Sequence, residues 1–335
     1  MKSGCWTPRQ AALALALAGV CLCAWNVGAR AVHTAQATGN PLCNRPGWYP
    51  ADFGVKDHTV LWYGGYYYLL ATYVDPDDPS PLRADHFAYA RSRDLCAWEE
   101  LPPVLAEGSP GAWDEAALWA PYAYYEEGMY YLYYTGVTPT WTQSILLATS
   151  TDPSDPASWQ KQGLVFQPDH PDMVWSENNP SDCRDPHLLR VGEQYFLYYT
   201  GLDDEGGIIG AAVASSPQGP WTDTGRVVEP APGKWLESPL VVAYGEHYYL
   251  FYNETQVGEF YQVGNSPTGA WLAARPFNPG WAHEIWQSTE GVWYTSYLTD
   301  YSVTINRLSW DASVPPQPVI EWAWAKLYLP LIEDE

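Results

Sequence analysis

The chain is poor in basic residues, with 16 Lys and Arg against 39 Asp and Glu, a formal net charge of −23 and a pI near 4.4. A nucleic-acid partner would call for a basic patch, so that class is excluded from the expectations. An acidic surface keeps a secreted protein soluble and specifies little else. Cysteine is scarce. Of six, Cys5, Cys21 and Cys23 fall within residues 1–29, leaving Cys43, Cys96 and Cys183. Three thiols permit at most one internal disulfide plus one free thiol. From residue 30 onward there is no C-x-x-C pair, which argues against a zinc site, and Cys183 reads as a small buried residue. Amphipathic helical periodicity is also missing. The Ala/Leu-rich run from Ala11 to Ala24, preceded by Lys2 and Arg9, is too short and too weakly apolar for a good membrane span. It reads as a secretory signal ending at Ala29 or Ala31, and neither Cys21 nor Cys23 follows the small residue that a lipid anchor needs.

Aromatic residues are abundant: they make up 16% of the chain, with 19 Trp and 26 Tyr. Such a chain is β-rich and carries flat apolar faces suited to stacking on sugar rings. One phrase recurs: a polar or acidic residue at a slot, a short apolar run, a turn with glycine, and an aromatic strand. It runs from Asp57 to Tyr67, Ala120 to Tyr130, Asp185 to Tyr195, Ser238 to Tyr248 and His283 to Trp293, ten positions each time. The turn glycines Gly64, Gly128, Gly192, Gly245 and Gly291 follow their slots by seven or eight residues. Successive slots lie 63, 65, 53 and 45 residues apart, the range of propeller blades. The expectation is an all-β fold, a five-bladed β-propeller, whose slots converge on a central channel.

The domain reading is a secretory signal over 1–29, a polar lead-in over 30–46 and the propeller over 47–331; about 290 residues suffice for one all-β domain. Each aromatic strand is followed by another ending in a Ser-to-Trp phrase: Ser92 to Trp98, Ser150 to Trp159, Ser216 to Trp221, Ser266 to Trp271 and, weakly, Ser309-Trp310. These carry turn chemistry and read as structural. Longer inserts span Asp75 to His86, Thr138 to Gln143 and Gln167 to Asn179. Loops on a repeat scaffold are where binding commonly resides. Trp141 and Trp175 in two of them are either sugar platforms or packed under their own loops. Glu99, Glu100, Glu126 and Glu127 read as exposed turn charges, Val319 to Leu331 as an outer strand or a ring closure, and Asn253-Glu254-Thr255 as a glycosylation sequon.

The ordered set Lys56-Asp57-His58-Thr59, Trp119-Ala120-Pro121, Arg184-Asp185-Pro186, Glu237-Ser238-Pro239 and Ala282-His283, each ahead of an aromatic strand, resembles the five-bladed β-propeller glycosidases. It is most similar to glycoside hydrolase family 43, the arabinanase and β-xylosidase group, and more distantly to families 32 and 68, which act on fructosides. The resemblance implies Asp57 as general base, Asp185 as the aspartate that orients and tunes the acid, and Glu237 as general acid. It places His283 near the channel axis, where some members hold a calcium ion or a water; no cofactor is otherwise required. Three motifs depart from the pattern, and one is Glu237-Ser238-Pro239, where Glu-Gly-Pro or Glu-Ala-Pro is commoner. Asp57-His58 stands where Asp-Pro is usual, and Arg184-Asp185-Pro186 is the form of the fructoside families, whose Asn-Asp-Pro-Asn motif is missing.

Chemistry asks for the same inventory. Cleaving a glycosidic bond needs a protonated carboxyl for the leaving oxygen and an ionised carboxylate across the ring, and a third carboxylate near the acid raises its pKa. Arg184 either binds a sugar hydroxyl or pairs with Asp185. Trp119 is a stacking platform or a blade wall, and His283 is functional or a hydrogen-bonded structural residue. The expected protein is a secreted, monomeric glycoside hydrolase with a carbohydrate substrate, arabinoside or xyloside, and no membrane anchor, acting by inversion. The alternatives are a retaining fructosidase-like hydrolase and a non-catalytic glycan-binding propeller.

Overall fold

A computed structural model describes residues 50–321 other than 76, 79, 229, 231, 232, 278 and 279, together with Leu42 and Trp48. The segment read as a signal, most of the lead-in and the chain after Glu321 lie outside the described residues. So do Cys43 and most of the Val319 to Leu331 segment.

Twenty strands form five antiparallel sheets of four, each a simple meander. Blade 1 holds β1 (Gly54–Tyr63), β2 (Tyr66–Val74), β3 (His86–Ser92) and β4 (Trp98–Ala106). Blade 2 holds β5 (Ala117–Glu126), β6 (Met129–Val137), β7 (Gln143–Ser150) and β8 (Gln160–Phe166). Blade 3 holds β9 (Cys183–Val191), β10 (Gln194–Leu202), β11 (Gly207–Ala214) and β12 (Thr222–Val228). Blade 4 holds β13 (Leu236–Tyr244), β14 (His247–Glu254), β15 (Gly258–Gly264) and β16 (Arg275–Pro276). Blade 5 holds β17 (Trp281–Gln287), β18 (Trp293–Thr299), β19 (Ser302–Trp310) and β20 (Pro318–Glu321). The first strands of successive blades touch one another, and β1 touches β17, so the ring closes. The expected five-bladed propeller is the fold. Among the described residues no helix is long and apolar enough to cross a membrane.

A four-stranded sheet with two apolar faces cannot stand alone, and here each face is buried against the next blade. Five apolar clusters fill the five junctions. Leu61, Tyr68 and Phe87 of blade 1 meet Leu118, Leu132 and Tyr134 of blade 2. Cys183 sits with Tyr133 and Leu147 in the next junction and is free and buried, while Cys96 is disulfide-bonded. The ring-closing junction gathers Trp48, Leu69 and Ala88 with Leu298, Val303 and Ile305, and Trp48 adds an antiparallel bridge to Val303.

Turn chemistry reinforces the junctions. The Ser-to-Trp phrases lie at the third-to-fourth strand connections, and a tyrosine hydroxyl from the preceding blade donates to a proline carbonyl there or at the corresponding turn of blade 5. Tyr89 reaches Pro153 O, Tyr133 reaches Pro217 O, Tyr198 reaches Pro267 O and Tyr249 reaches Pro316 O. Apart from the one that opens the Val319 to Leu331 segment, the fourth strands escaped the sequence reading. In β4 the residues are largely exposed and include Pro102 and Pro103, so the alternation that marks a strand is weak. Glu99 and Glu100 lie in β4 rather than in a turn, and Glu99 pairs with Arg91 at 2.8 Å. Glu126 is likewise not a free surface charge: it accepts from Tyr195 Oη at 2.6 Å and pairs with Arg190 of blade 3.

Candidate active site

The slots are β-bulges in the first strand of each blade. Pairing with the second strand shifts after Lys56, Trp119, Arg184, Glu237 and Trp281, which face Thr72, Thr135, Thr200, Asn253 and Leu298. The residue that follows each adopts positive φ: Asp57 (20°), Ala120 (46°), Asp185 (55°), Ser238 (55°) and Ala282 (50°). A bulge re-aims side chains and sharpens the bend of the strand, and bulges cluster beside active sites. Non-glycine residues at positive φ are costly unless held in place. Here the holding group is supplied by the preceding blade. Ala120 N–H donates to Thr72 Oγ1 (2.9 Å), Asp185 N–H to Thr135 Oγ1 (3.1 Å), Ser238 N–H to Thr200 Oγ1 (3.2 Å) and Ala282 N–H to Asn253 Oδ1 (2.9 Å).

Blade 5 corrects the sequence register. Its slot is Ala282, not His283, because the β17–β18 turn is one residue longer: Gln287 pairs with Trp293, whereas Arg190 pairs with Tyr195. Counting back from the aromatic therefore lands one residue late. The turn glycines do mark the hairpins, all five at positive φ. Asn253 is fully buried, with its amide oxygen on Ala282 N–H, so the sequon is a structural element of this bulge.

The bulges enclose an axial cavity of about 30 Å³, room for a water molecule, lined by Asp57, His58, Ala120, Asp185, Ser238, His283 and Glu284 among others. Burial and then the Asp185 charge push the Asp57 carboxyl up to about 7, with Glu237 adding to the rise and Lys56 and Arg184 opposing it. Asp185 Oδ2 accepts from Thr200 Oγ1 (2.9 Å) and from Ser238 N–H (3.0 Å). Glu237 occupies the position just before its bulge; burial raises its pKa, Arg184 lowers it and Asp185 raises it. Its Oε1 accepts from Thr255 Oγ1 at 3.1 Å. The three carboxyls named from sequence thus share one site.

Arg184 is the cation among them. Its side chain lies 2.8 Å from Asp182, 3.3 Å from Glu237 and 3.5 Å from Asp185. Pairing with Asp185 is therefore one of three such contacts. Burial disfavours the guanidinium charge, but the surrounding carboxylates outweigh burial and raise its pKa.

The other named residues divide. Trp119 shares the pre-bulge position with Arg184 and Glu237; its indole donates to Pro81 O (2.8 Å) and stands 6.1 Å from Trp141. Trp175 is half-buried, donates to Gln143 O (2.9 Å) and packs on the blade 2–3 core, away from the axial cavity. His283 lines the cavity, yet its Nδ1 faces Glu259 Oε2 at 3.2 Å with both side chains fully buried, and its ring stacks on Tyr297. Beside it His58 Nε2 meets Ser296 Oγ at 2.6 Å, and burial followed by His283 depresses its pKa to about 3. Among the described residues no three His, Cys, Asp or Glu side chains are arranged to hold a metal ion. His283 faces Glu259, and this donor set does not fit a calcium ion.

Two acids went unread in the sequence. Glu284 lines the cavity, and burial together with the Asp57 charge raises its carboxyl well above the usual range. Asp182 holds Arg184. Glu284 stands two positions after its slot, where the other blades carry Thr59, Tyr122, His187 and Leu240, so the repeat held no signal for it.

The model for glycosyl hydrolases family 43 matches residues 52–173, which span blades 1 and 2. A probable arabinan endo-1,5-alpha-L-arabinosidase C of Aspergillus niger is 25% identical over 161 residues, 47% of either chain. A sucrose:sucrose 1-fructosyltransferase of Festuca arundinacea is 35% identical over 98 residues, 29% of this chain and 14% of that one. The chain therefore spans about half the length of the arabinosidase and a smaller part of the transferase. The crystal structure of an exo-1,5-alpha-L-arabinanase from a bovine ruminal metagenomic library superposes with a TM-score of 0.59 at 19% identity, covering 82% of this chain and 99% of that one. In fold, in the order of its bulge carboxylates and in the sequence of its first two blades, this chain resembles glycoside hydrolase family 43.

Proposed function

We propose that the chain is a secreted, monomeric glycoside hydrolase that cleaves an arabinan-type polysaccharide by single displacement with inversion. The observation that carries this reading is the convergence of Asp57 and Asp185 on one axial cavity, with Glu237 joined to Asp185 through Arg184. Likeness to arabinan-cleaving proteins supports the substrate, and the N-terminal leader supports secretion. Asp57 takes a proton from a water as the water oxygen bonds to the anomeric carbon. The glycosidic bond breaks, and its oxygen takes the proton of Glu237. Asp185 acts on both carboxyls: its carboxylate is fixed by the Thr200 hydroxyl and the Ser238 amide, and its charge favours the protonated form of Glu237. Trp119, on the same bulge position as Glu237, offers an indole to a sugar face.

The test compares the wild type with Glu237→Gln on arabinan, xylan, levan and aryl glycosides. Release from arabinan by the wild type, lost in the variant, is expected; equal release by both removes Glu237 from the acid role. The fructoside reading has its own support in Arg184-Asp185-Pro186 and in the fructosyltransferase match. Under it Asp57 is a nucleophile, and levan is the substrate cleaved.

A further inference from the structure

Arg184 is held from two sides. Toward the site it reaches Asp185 and Glu237 at 3.5 and 3.3 Å; away from it, the shorter contact is to Asp182 Oδ2 at 2.8 Å. Asp182 is itself fixed, because Gln143 Nε2 donates to its Oδ1 at 3.1 Å while Gln143 Oε1 lies 3.5 Å from Arg184 Nη1. Gln143 is pinned in turn at its backbone, where its N–H donates to Ser181 O (2.9 Å) and its carbonyl accepts from Trp175 Nε1 (2.9 Å). A chain of contacts thus runs from the Gln167 to Asn179 insert through Gln143 and Asp182 to the guanidinium. None of these side chains is widely exposed: the values are 19% for Asp182, 18% for Arg184 and 21% for Glu237.

A bidentate, close ion pair is the strong form of an arginine–carboxylate contact. Such a pair at Glu237 would keep that carboxyl ionised and useless as a proton donor. We propose that Asp182 is a positioning residue for the acid: with Gln143 it draws the Arg184 guanidinium outward, leaving Glu237 a single long contact and its proton available to the leaving group. The inference rests on Glu237 being the acid. The groups that face the guanidinium are Asp182 just before its strand, Asp185 on that strand, Gln143 from blade 2 and Glu237 from blade 4; Asp57 and Thr255 complete the surroundings of Glu237.

The experiment measures kcat and KM against pH, on the arabinan substrate, for the full chain and for Asp182→Asn, Asp182→Glu and Gln143→Ala. Loss of the Asp182 charge frees Arg184 to close on Glu237. The alkaline limb of the kcat profile then moves down by roughly one pH unit, within the range for a carboxyl gaining an arginine partner, and kcat falls with KM little changed. Asp182→Glu restores most of the limb, and Gln143→Ala shifts it in the same direction by less. An Asp182→Asn limb at the wild-type position, with kcat reduced evenly at every pH, overturns the proposal and leaves Asp182 a structural residue. If Asp182→Asn does not fold, an unshifted limb in Gln143→Ala does the same. Failure of the acid assignment itself is recognised separately, by a Glu237→Gln variant that keeps its activity.

Discussion

The amide of Ser238 donates to Asp185 Oδ2 at 3.0 Å, so the bulge that presents Glu237 is fastened to the carboxylate of the preceding blade. One oxygen thereby does two things: it completes a backbone hydrogen bond for a strained residue and it sets a negative charge beside the neighbouring acid. Asp185→Asn keeps the size of the side chain but loses the charge. It should lower kcat by about 10²- to 10⁴-fold, the range of general acid–base assistance, with a smaller change in melting temperature. Steady-state kinetics and thermal unfolding of the same preparation check it.

Asp57 has its carboxyl raised to about 7 in the folded state by burial and Asp185. Its unfolded value is near 3.8, so between these limits the folded state binds the extra proton and stability falls as pH rises through the window. Asp57→Asn should therefore raise the melting temperature at pH 8, where the wild type carries a buried charge, and raise it far less at pH 4. A gain of equal size at both pH values would contradict the raised carboxyl. In the wild type, activity that needs ionised Asp57 should decline as pH falls below about 7.

Thr135 hooks blade 2 to blade 3 by accepting from Asp185 N–H at 3.1 Å. Thr135→Val preserves shape and leaves that amide without its partner, which costs about 1 to 3 kcal/mol. Thr135→Ser keeps the acceptor and should cost less. Urea unfolding separates the two.

Glu259 faces His283 between blades 4 and 5 with both side chains fully buried. Glu259→Leu removes the acceptor oxygen from beside the imidazole and should destabilise by about 1 to 3 kcal/mol. His58, whose depressed pKa owes something to His283, provides the readout: its ring signals in an NMR titration should shift on the substitution. Unchanged stability and unchanged signals would show that the pair carries no weight.

The repeat itself was legible in the chain, because a blade is a local object. Alternating aromatics, a turn glycine at positive φ and a slot ten residues upstream are set by strand and turn stereochemistry within about twenty residues. Five copies in order imply a closed ring, and Asp57, Asp185 and Glu237 could be named from their place in it. Tertiary structure decided what depends on neighbouring blades. It moved the fifth slot from His283 to Ala282, since a longer β17–β18 turn shifts a count made from the aromatic end. It turned the Asn253 sequon into a buried hook, placed Trp175 beneath its loop, and enclosed Glu284 beside Asp57. It also gave Arg184 three carboxylate partners, one of them Asp182. Sequence spacing fixes which residues share a register, because side-chain direction repeats along a strand. Which charges meet across the axis, and how far burial shifts them, arises only when five blades close on one channel.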